Sequence, residues 1–319
     1  MPKVSVIVPV YGVEKYIERC ARSLFEQTLD DIEYLFIDDC TPDRSIEILQ
    51  QVLEDYPQRK SQVVIHRMEQ NSGQAAVRKW GMQNASGEYV IHCDSDDWVD
   101  KDYCGLLYEE VRRKGCDIVV CNFFVTDGDK KCSVKSEMFS DSISKEELLK
   151  AVLHGTVSSS LCNKLIKRSL LVDNPILFPN GNMGEDMVIL IQAIHYAKMV
   201  NYIPETLYYY YYNEKSITKD TSLERVIERF RSSVVNTKIF ESFFREKGLI
   251  KTLDDEFTYL KLRKISYLLP VVSDKQIFLE WKNTFPELFS KIGRSKIIPL
   301  KEKINFYVTY FGFRGGKFK

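Results

Sequence analysis

The sequence predicts an α/β fold, with a mostly parallel sheet flanked by helices and a helical C-terminal extension. Over the first part of the 319 residues, short apolar runs alternate with segments of helical periodicity. Such strand–helix repetition is typical of a parallel sheet covered by helices on both faces. From residue 223 onward, only helical periodicity continues. The chain is therefore predicted to divide into a sheet domain, residues 1–215, and a helical region, residues 216–319.

The individual elements are predicted from the pattern of apolar residues along the chain. Strands are short apolar runs, and helices are segments whose apolar residues recur three and four positions apart. The predicted strands are residues 4–9, 33–38, 62–66, 88–93, 117–124 and 206–212. The predicted helices of the sheet domain are residues 13–27, 45–55, 74–84, 101–113, 145–154 and 187–197. The predicted helices of the extension are residues 223–247, 252–268, 276–281 and 301–311.

The overall charge does not indicate a nucleic-acid partner. Forty-five Lys and Arg residues balance 45 Asp and Glu residues, whereas nucleic-acid binding calls for an excess of positive charge. The last segment differs, because residues 291–319 contain eight basic residues and one acid, a net charge of +7. A basic segment that contains aromatic residues suits an anionic membrane surface, and the alternative is a solvated helix end.

Cysteine usage and hydropathy predict a cytoplasmic protein. The eight cysteines include no Cys-x-x-Cys pair, and several lie in apolar runs, as reduced core thiols do. No stretch approaches the roughly 18 apolar residues that a membrane span requires. The apolar run after the N-terminus is too short for a signal sequence. We therefore expect a cytoplasmic location, with peripheral contact at the inner face of the plasma membrane if the basic segment binds lipid.

An acidic cluster follows the fourth predicted strand. Asp94, Asp96 and Asp97 lie within four residues and would repel one another. A hard divalent cation such as Mg²⁺ or Mn²⁺ offsets this repulsion and bridges carboxylates to substrate phosphates. The alternative is that an aspartate caps the next helix. Asp38 and Asp39 also end a strand, and ligands of parallel sheets bind beyond the carboxyl ends of the strands. Two acidic groups at one edge favour a ligand site.

Several common nucleotide and hydrolase motifs are absent from the sequence. No Gly-x-Gly-x-x-Gly follows the first strand, and no Gly-Lys-Ser/Thr phosphate loop is present. There is no Gly-x-Ser-x-Gly motif, which argues against a serine hydrolase. The first strand instead ends in Pro9-Val10-Tyr11-Gly12, with Glu14 close behind.

A series of short motifs carries a family resemblance. In order, they are residues 6–11, 36–43, 71–73 with Arg78 and Gly81, 86–90 running into 94–98, 163–165, 184–186, and the Tyr-rich run that ends at Asn213 with 216–218. This order resembles glycosyltransferase family 2 of the GT-A fold, the kind that builds bacterial surface polysaccharides. The resemblance implies a Rossmann-like nucleotide-binding sheet over residues 4–218, and the C-terminal hundred or so residues carry no motif of it.

The resemblance also implies roles for individual residues. The implied nucleotide-binding residues are Pro9, Tyr11, Glu14, Asp38, Asp39, Asn71, Gly73, Arg78, Asp94 and Ser95. Asp96, together with Asp94, is implied to bind Mn²⁺ or Mg²⁺, which bridges the two phosphates and offsets charge on the leaving group. Asp39 is implied to accept a hydrogen bond from the nucleotide base, with Asp38 beside it. Arg78 either lies near the diphosphate or organises the acidic cluster through ion pairs.

Asp186 is the residue that the resemblance implies as general base. It begins a predicted helix after a glycine-containing loop, where a carboxylate can face an acceptor hydroxyl and take its proton. The alternative is that Glu185 and Asp186 only complement the helix N-terminus, which would lower the pKa of a carboxylate.

The leading functional hypothesis is an inverting, metal-dependent transfer of a sugar from a nucleotide-sugar donor, most simply a UDP-sugar. The acceptor would be a glycan or lipid-linked hydroxyl in surface polysaccharide synthesis. A sugar nucleotidyltransferase is the alternative among enzymes, although residues 9–12 are not its usual phosphate loop. A non-catalytic nucleotide-binding scaffold is the alternative outside enzymes. The C-terminal helices are expected to cover the acceptor side or to mediate a homodimer.

Overall fold

The centre of the molecule is a mixed β-sheet. The computed structural model describes residues 1–139, 142–212, 221–314 and 317–318, so the predicted boundary after residue 215 and the motif residues 213 and 216–218 lie outside the described residues. In this part of the chain the main sheet contains nine strands: β1 (Val4–Val10), β2 (Ile32–Asp38), β3 (Val63–Arg67), β4 (Tyr89–His92), β5 (Trp98–Val99), β6 (Ile118–Thr126), β7 (Lys131–Val134), β8 (Lys164–Lys167) and β9 (Val200–Tyr211). A two-stranded sheet of β10 (Phe313–Arg314) and β11 (Lys317–Phe318) is separate from it.

The sheet has two halves with different strand directions. Its order is β3-β2-β1-β4-β8-β6-β9-β5, and β7 pairs with β6. The pairs among β1, β2, β3 and β4 are parallel, as the strand–helix alternation predicts. The prediction of a mostly parallel sheet is confirmed, and the long pair of β6 and β9 is also parallel. The antiparallel pairs lie where β8 joins β4 and β6 and where β5 and β7 join the sheet. The strands β5, β7 and β8 were not predicted because they have two to four residues, too few for a clear alternation pattern.

Helices of the sheet domain pack on both faces of the sheet, and further helices form the C-terminal extension. They are α1 (Ile17–Phe25), α2 (Ser45–Glu54), α3 (Gln74–Asn84), α4 (Tyr103–Lys114), α5 (Lys145–His154), α6 (Arg168–Val172), α7 (Glu185–Tyr196), α8 (Leu223–Glu246), α9 (Asp254–Ile265), α10 (Lys275–Thr284), α11 (Leu288–Lys291) and α12 (Leu300–Gly312). In β1, Val6 and Val8 face one apolar core and Ile7 faces the other, as expected for alternating side chains of a buried strand. None of the described helices is long and apolar enough to cross a bilayer.

The C-terminal helices share a core with the sheet domain. Phe240 and Phe244 of α8 and Phe257 of α9 belong to the same buried cluster as the apolar residues of α5 and α7. A second cluster, centred on the buried Trp281, lies within the helical region. The extension therefore packs directly beside α7, the helix that begins with Glu185 and Asp186.

Most of the cysteines are buried thiols, as predicted. Cys20, Cys93 and Cys104 are fully buried, and all eight cysteines are free. Two differ: Cys40 is only partly buried, and Cys132 lies exposed on β7, a strand that the sequence did not predict.

Candidate active site

The two predicted acidic groups do lie at one edge of the sheet. β2 ends at Asp38 and β4 ends two residues before Asp94, and both strands are parallel to β1, which lies between them. The segment that begins α3 connects the two groups. Asp39 accepts hydrogen bonds from the backbone amides of Ser72 (2.7 Å) and Gly73 (2.8 Å), and the Gln74 side chain donates to Asp94 Oδ1 (3.1 Å).

The carboxylates after β2 hold loops in place. Asp38 and Asp39 are 2% and 3% exposed. Asp38 accepts a hydrogen bond from the Thr41 amide (2.7 Å) and forms an ion pair with Arg67 (2.9 Å). Each oxygen of Asp39 accepts one backbone amide and has a second lone pair, so Asp39 can also accept a hydrogen bond from a nucleotide base. That contact stays a prediction.

Asp43 lies in a predicted motif but was not predicted as a site residue. One of its oxygens accepts from the hydroxyls of Thr41 (2.7 Å) and Ser45 (2.5 Å), and the other accepts from the Glu14 amide (2.9 Å). Its slight burial alone would raise the pKa of Asp43, but these hydrogen bonds together lower it below its ordinary value. Asp43 thereby fixes the loop after β1 against the loop after β2.

The loop after β1 presents its side chains to solvent. Tyr11 is 51% exposed and Glu14 is exposed, while Pro9 at the strand end is partly buried. The Gly12 amide donates to the Thr41 hydroxyl (2.9 Å). The backbone is therefore fixed while the side chains of Tyr11 and Glu14 are accessible to a ligand.

Gly73 occupies a position that only glycine can fill. Its φ of +80° lies in the left-handed region, and a Cβ there would lie 2.2 Å from the Asn182 side chain. Asn182 also accepts a hydrogen bond from the Ala75 amide (3.1 Å). The loop before α3, whose Asn71 is exposed, is thus packed against the loop before α7.

Arg78 is the centre of the second carboxylate group. Its guanidinium is 4% exposed and forms ion pairs with Asp94 (2.7 Å), Glu185 (2.9 Å) and Asp186. Of the two environments predicted for this residue, the ion-paired one is present, and a contact with a diphosphate stays a prediction. We call Arg78, Asp94, Glu185 and Asp186 the Arg78 group. It joins the acidic cluster after β4 to the predicted base on α7.

The Arg78 group contains more negative than positive charge in a buried place. Burial by itself would lower the pKa of Arg78, but Asp186, Asp94 and Glu185 raise it above its ordinary value. Burial, reinforced by Asp186, raises the pKa of Glu185 to about 8. Burial also raises the pKa of Asp186, although Arg78 opposes the shift. The direction for Asp186 is opposite to that expected of a carboxylate that only complements a helix end.

The four residues that follow β4 have different surroundings. Asp94 has 24% of its side chain exposed, Asp96 is partly exposed and Ser95 is buried. Asp97 is 1% exposed and accepts hydrogen bonds from the Tyr208 hydroxyl (2.5 Å) and the Tyr211 amide (2.6 Å). Burial, with Asp96 and Asp94 nearby, raises the pKa of Asp97 well above its ordinary value. These hydrogen bonds hold the residues after β4 against β9.

Lys164, a residue of the predicted motif 163–165, lies close enough to Asp186 for the two charges to interact. The Lys164 ammonium is buried and donates to the Ser160 carbonyl (2.7 Å) and the Asn163 side chain (2.7 Å). Burial lowers the pKa of Lys164 to about 8. The Leu161 amide donates to the second oxygen of Asp186 (3.3 Å). The turn before β8 thus fixes the orientation of the Asp186 carboxylate.

The helical extension also supports the loop before α7, which the sequence did not predict. The Asn236 side chain on α8 donates to the carbonyls of Gly181 (2.8 Å) and Met183 (3.0 Å) and accepts from the Gly181 amide (3.3 Å). The Ser232 hydroxyl accepts from the Met183 amide (3.1 Å). No local sequence pattern connects these residues, which lie about 50 positions apart.

Comparison with known proteins identifies the family. The profile described as Glycosyl transferase family 2 matches residues 5–173, more than half of the chain. The chain belongs to glycosyl transferase family 2. The matched segment contains Arg78 and Asp94, whereas Glu185 and Asp186 follow it.

Curated relatives of this family 2 chain include bacterial glycosyltransferases. EpsH of Bacillus subtilis strain 168, a putative glycosyltransferase, is 34% identical over 225 residues, which cover 68% of this chain and 63% of EpsH. TarS of Staphylococcus aureus strain Mu50, a poly(ribitol-phosphate) β-N-acetylglucosaminyltransferase, is 24% identical over all of this chain and 57% of TarS. The chain thus spans less than two thirds of the length of these relatives.

Solved structures agree with the predicted GT-A fold. Residues 1–349 of S. aureus TarS, crystallised in complex with UDP-GlcNAc, match with a TM-score of 0.62 at 19% identity, over 99% of this chain and 92% of that one. The mannosyltransferase PcManGT from Pyrobaculum calidifontis, in complex with GDP-Man and Mn²⁺, matches with a TM-score of 0.56 at 16% identity, over 98% and 81%.

In this family 2 chain, the carboxylates after β4 suit a divalent cation that takes only some of its ligands from the protein. The described residues contain no group of three or more His, Cys, Asp or Glu side chains placed to hold a metal. Mg²⁺ at phosphate sites usually takes one or two protein carboxylates and completes its shell with phosphate and water. The partly exposed Asp94 and Asp96 suit that arrangement, in which the substrate diphosphate supplies the remaining ligands.

Proposed function

We propose that this chain is an inverting, metal-dependent glycosyltransferase that moves a sugar from a UDP-sugar to a hydroxyl of a glycan or lipid-linked acceptor in surface polysaccharide synthesis. The observation that carries the proposal is the Arg78 group, in which one buried guanidinium contacts both Asp94 and Asp186. Donor-side and acceptor-side carboxylates are thereby held at a fixed separation, which is the arrangement that a single displacement requires.

The donor would bind across the loops after β1, β2 and β4. The exposed Tyr11 and Glu14 are accessible to a base and ribose, and Asp94 and Ser95 follow β4 on the same edge. The TarS structures with UDP-GlcNAc and UDP support a nucleotide-sugar donor, and the PcManGT structure with GDP-Man supports the same donor class.

Asp96, with Asp94, would hold Mn²⁺ or Mg²⁺. When bound, such an ion neutralises charge that develops on the departing diphosphate. Removal of either carboxylate should therefore weaken nucleotide binding in the presence of the metal more than in its absence.

Asp186 would accept the proton of the acceptor hydroxyl. The acceptor oxygen forms a bond to the anomeric carbon while the bond from that carbon to the diphosphate breaks. The raised pKa of Asp186 makes it a stronger base than an ordinary carboxylate, and 19% of its side chain is exposed to an approaching acceptor. Because no covalent intermediate forms, the anomeric configuration inverts.

Calorimetric titration of UDP with and without Mn²⁺ tests the donor site directly. We expect metal-dependent binding that Asp96→Asn abolishes and that Asp31→Asn leaves unchanged, since Asp31 lies at the opposite edge of the sheet and is exposed. Binding that is unaffected by Asp96→Asn would contradict the metal assignment.

A transfer assay with UDP-GlcNAc and UDP-glucose then tests the reaction, with UDP release and product anomer as readouts. Pyrophosphate formation from a nucleoside triphosphate and a sugar phosphate would instead identify a nucleotidyltransferase. Absence of binding by UDP, GDP and CDP would favour the non-catalytic scaffold.

A further inference from the structure

Helix α12 carries an apolar stripe that no described residue covers. Leu300, Ile304, Val308 and Phe311 are 72%, 51%, 60% and 63% exposed. Their spacing of four, four and three residues places all four along one side of the helix. Single exposed apolar residues are common, but a continuous row of them on one helix face indicates an interaction surface.

The packing of α12 determines which side faces outward. Phe306 is 5% exposed, its ring centroid lies 5.3 Å from that of the buried Trp281, and Thr309 is also buried. The stripe extends onto the neighbouring α11 through Phe289, which is 39% exposed and lies 5.8 Å from the Phe311 ring. The helix therefore cannot rotate its apolar side inward without losing its core contacts.

The segment that contains the stripe is mostly basic, and one acid of α9, Asp255, accepts a hydrogen bond from the Lys296 amide (3.1 Å). Arg294, Lys296 and Lys301 are exposed and form no ion pair within the described part of the chain. Glu302 is the single acid between residues 291 and 319, and it accepts a hydrogen bond from the Tyr259 hydroxyl (2.9 Å) on α9. The surface around α12 thus combines apolar side chains with unpaired cations.

We propose that α12 is an interfacial helix that docks this protein on an anionic lipid bilayer. Leu300, Ile304, Val308 and Phe311 would enter the boundary between headgroups and acyl chains, and the cations would contact anionic headgroups. Thirteen residues make a helix of about 20 Å, which suits a position in the plane of the surface.

The charge pattern favours a lipid surface over a second copy of this chain. Lysine is depleted at the cores of protein interfaces, and a copy of the same basic surface would bring like charges together at a symmetric contact. An anionic bilayer matches both the apolar and the positive parts of the surface. The inference rests on this surface alone and does not depend on the proposed sugar transfer.

Flotation of the full chain with vesicles tests the proposal, in the absence of donor and acceptor. The wild-type protein should float with vesicles of phosphatidylcholine mixed with phosphatidylglycerol and not with phosphatidylcholine alone. The triple variant Ile304→Ser, Val308→Ser and Phe311→Ser should lose at least about tenfold in partition coefficient, because it removes the inserted apolar surface.

Matched variants separate insertion from general surface effects. Val64→Ser, Val172→Ser and Met199→Ser change three residues of 43%, 40% and 39% exposure elsewhere and should bind vesicles as the wild type does. Lys296→Gln with Lys301→Gln should weaken binding to the anionic vesicles by roughly fivefold for each lysine. Lys60→Gln with Lys198→Gln, two exposed lysines on the sheet domain, should not weaken it.

Three results would overturn the proposal. One is equal partition of the wild type and the stripe variant, and another is equal binding to neutral and anionic vesicles. The third is a dimer in analytical ultracentrifugation that the stripe variant dissociates while the wild type fails to float, since a second copy would then cover the stripe. Circular dichroism of each variant verifies that the helices remain folded.

Discussion

Two groups of carboxylates lie at the same edge of the sheet. One group is held by uncharged hydrogen-bond donors and the other by a cation. In the loop group, Asp39 and Asp43 accept hydrogen bonds from backbone amides and hydroxyls. In the Arg78 group, Asp94, Glu185 and Asp186 share one guanidinium. Every carboxylate oxygen of the first group accepts at least one hydrogen bond from an uncharged donor, whereas the second group contains more negative charge than its cation balances.

The difference appears in the direction of the pKa shifts. Hydrogen bonds that favour the ionised form lower the pKa of Asp43, against a small opposing effect of burial. Burial and neighbouring charge raise the pKa of Glu185 and Asp186. A fully satisfied carboxylate stabilises a loop, and an incompletely balanced one retains a tendency to accept a proton. In the proposed function, the loop group would therefore stabilise the loops of the donor site, and the Arg78 group would take part in the reaction.

The largest expected effect is that of Asp186→Asn on turnover. The amide keeps an oxygen that can accept from Arg78 but cannot take a proton, so transfer should fall by roughly 10²–10⁴-fold. UDP affinity should remain near that of the wild type in calorimetry. Asp43→Asn is the matched change in the loop group and should weaken UDP binding with turnover at saturating donor preserved. Near-normal turnover of Asp186→Asn would show that Asp186 is not the general base.

Arg78→Met should produce the largest loss of stability. It leaves three buried or partly buried carboxylates without their cation, which costs about 3–5 kcal/mol in the free energy of unfolding. Urea denaturation measures this loss. Arg231→Met, which removes an ion pair between side chains that are 63% and 29% exposed, should cost less than about 1 kcal/mol. If both variants lost the same amount, the Arg78 group would not be a buried charge centre.

Asp39→Asn should have an intermediate effect. Both Asp39 oxygens accept backbone amides, so an NH₂ group in place of one oxygen faces the N–H of Ser72 or Gly73, donor against donor. A lost and unsatisfied hydrogen bond of this kind costs about 1–3 kcal/mol. Thermal unfolding should show this loss of stability, and UDP titration should show weaker binding. Asp31→Asn, at the opposite edge of the sheet, should change neither measurement. If the UDP affinity of Asp39→Asn were unchanged, residues 72–73 would not be part of the donor site.

A further expected effect concerns pH and Glu185. The pKa of Glu185 is raised from 4.5 to about 8 on folding, so its contribution to stability is fully present below pH 4.5 and is lost as the pH rises through 8. Glu185→Gln should therefore flatten the decline of unfolding free energy across this window, as measured by urea denaturation at a series of pH values. An equally steep decline in the variant would assign the pH dependence to another group.

Local pattern was sufficient to predict most of the fold in the first half of the chain. Helix α3 begins and ends at the predicted residues 74 and 84, and α5 matches 145–154. β9 begins at Val200, six residues earlier than predicted, because its first residues contain Pro204 and Glu205 and lack clear alternation. Short strands such as β8 depend on the neighbours that pair with them, which a single sequence does not specify.

The candidate site was predictable in part. Asp38, Asp39 and Asp94 follow apolar runs, so their position at one edge of a parallel sheet follows from the strand–helix alternation. Asn236 and Lys264 carried no local signal, yet Asn236 holds the loop before α7, and the buried Lys264, whose pKa burial lowers to about 8, lies near Gly184. Their roles depend on how α8 and α9 pack beside α7.

The sequence by itself determined the strand–helix alternation, the acidic residues at the strand ends and the basic character of residues 291–319, because these are properties of neighbours along the chain. Only the tertiary structure decided that Arg78 pairs with Glu185, 107 residues away, and that the stripe of α12 faces outward. The physical reason is that charge balance and exposure depend on which distant groups share a low-dielectric interior, and packing of the whole chain sets that arrangement.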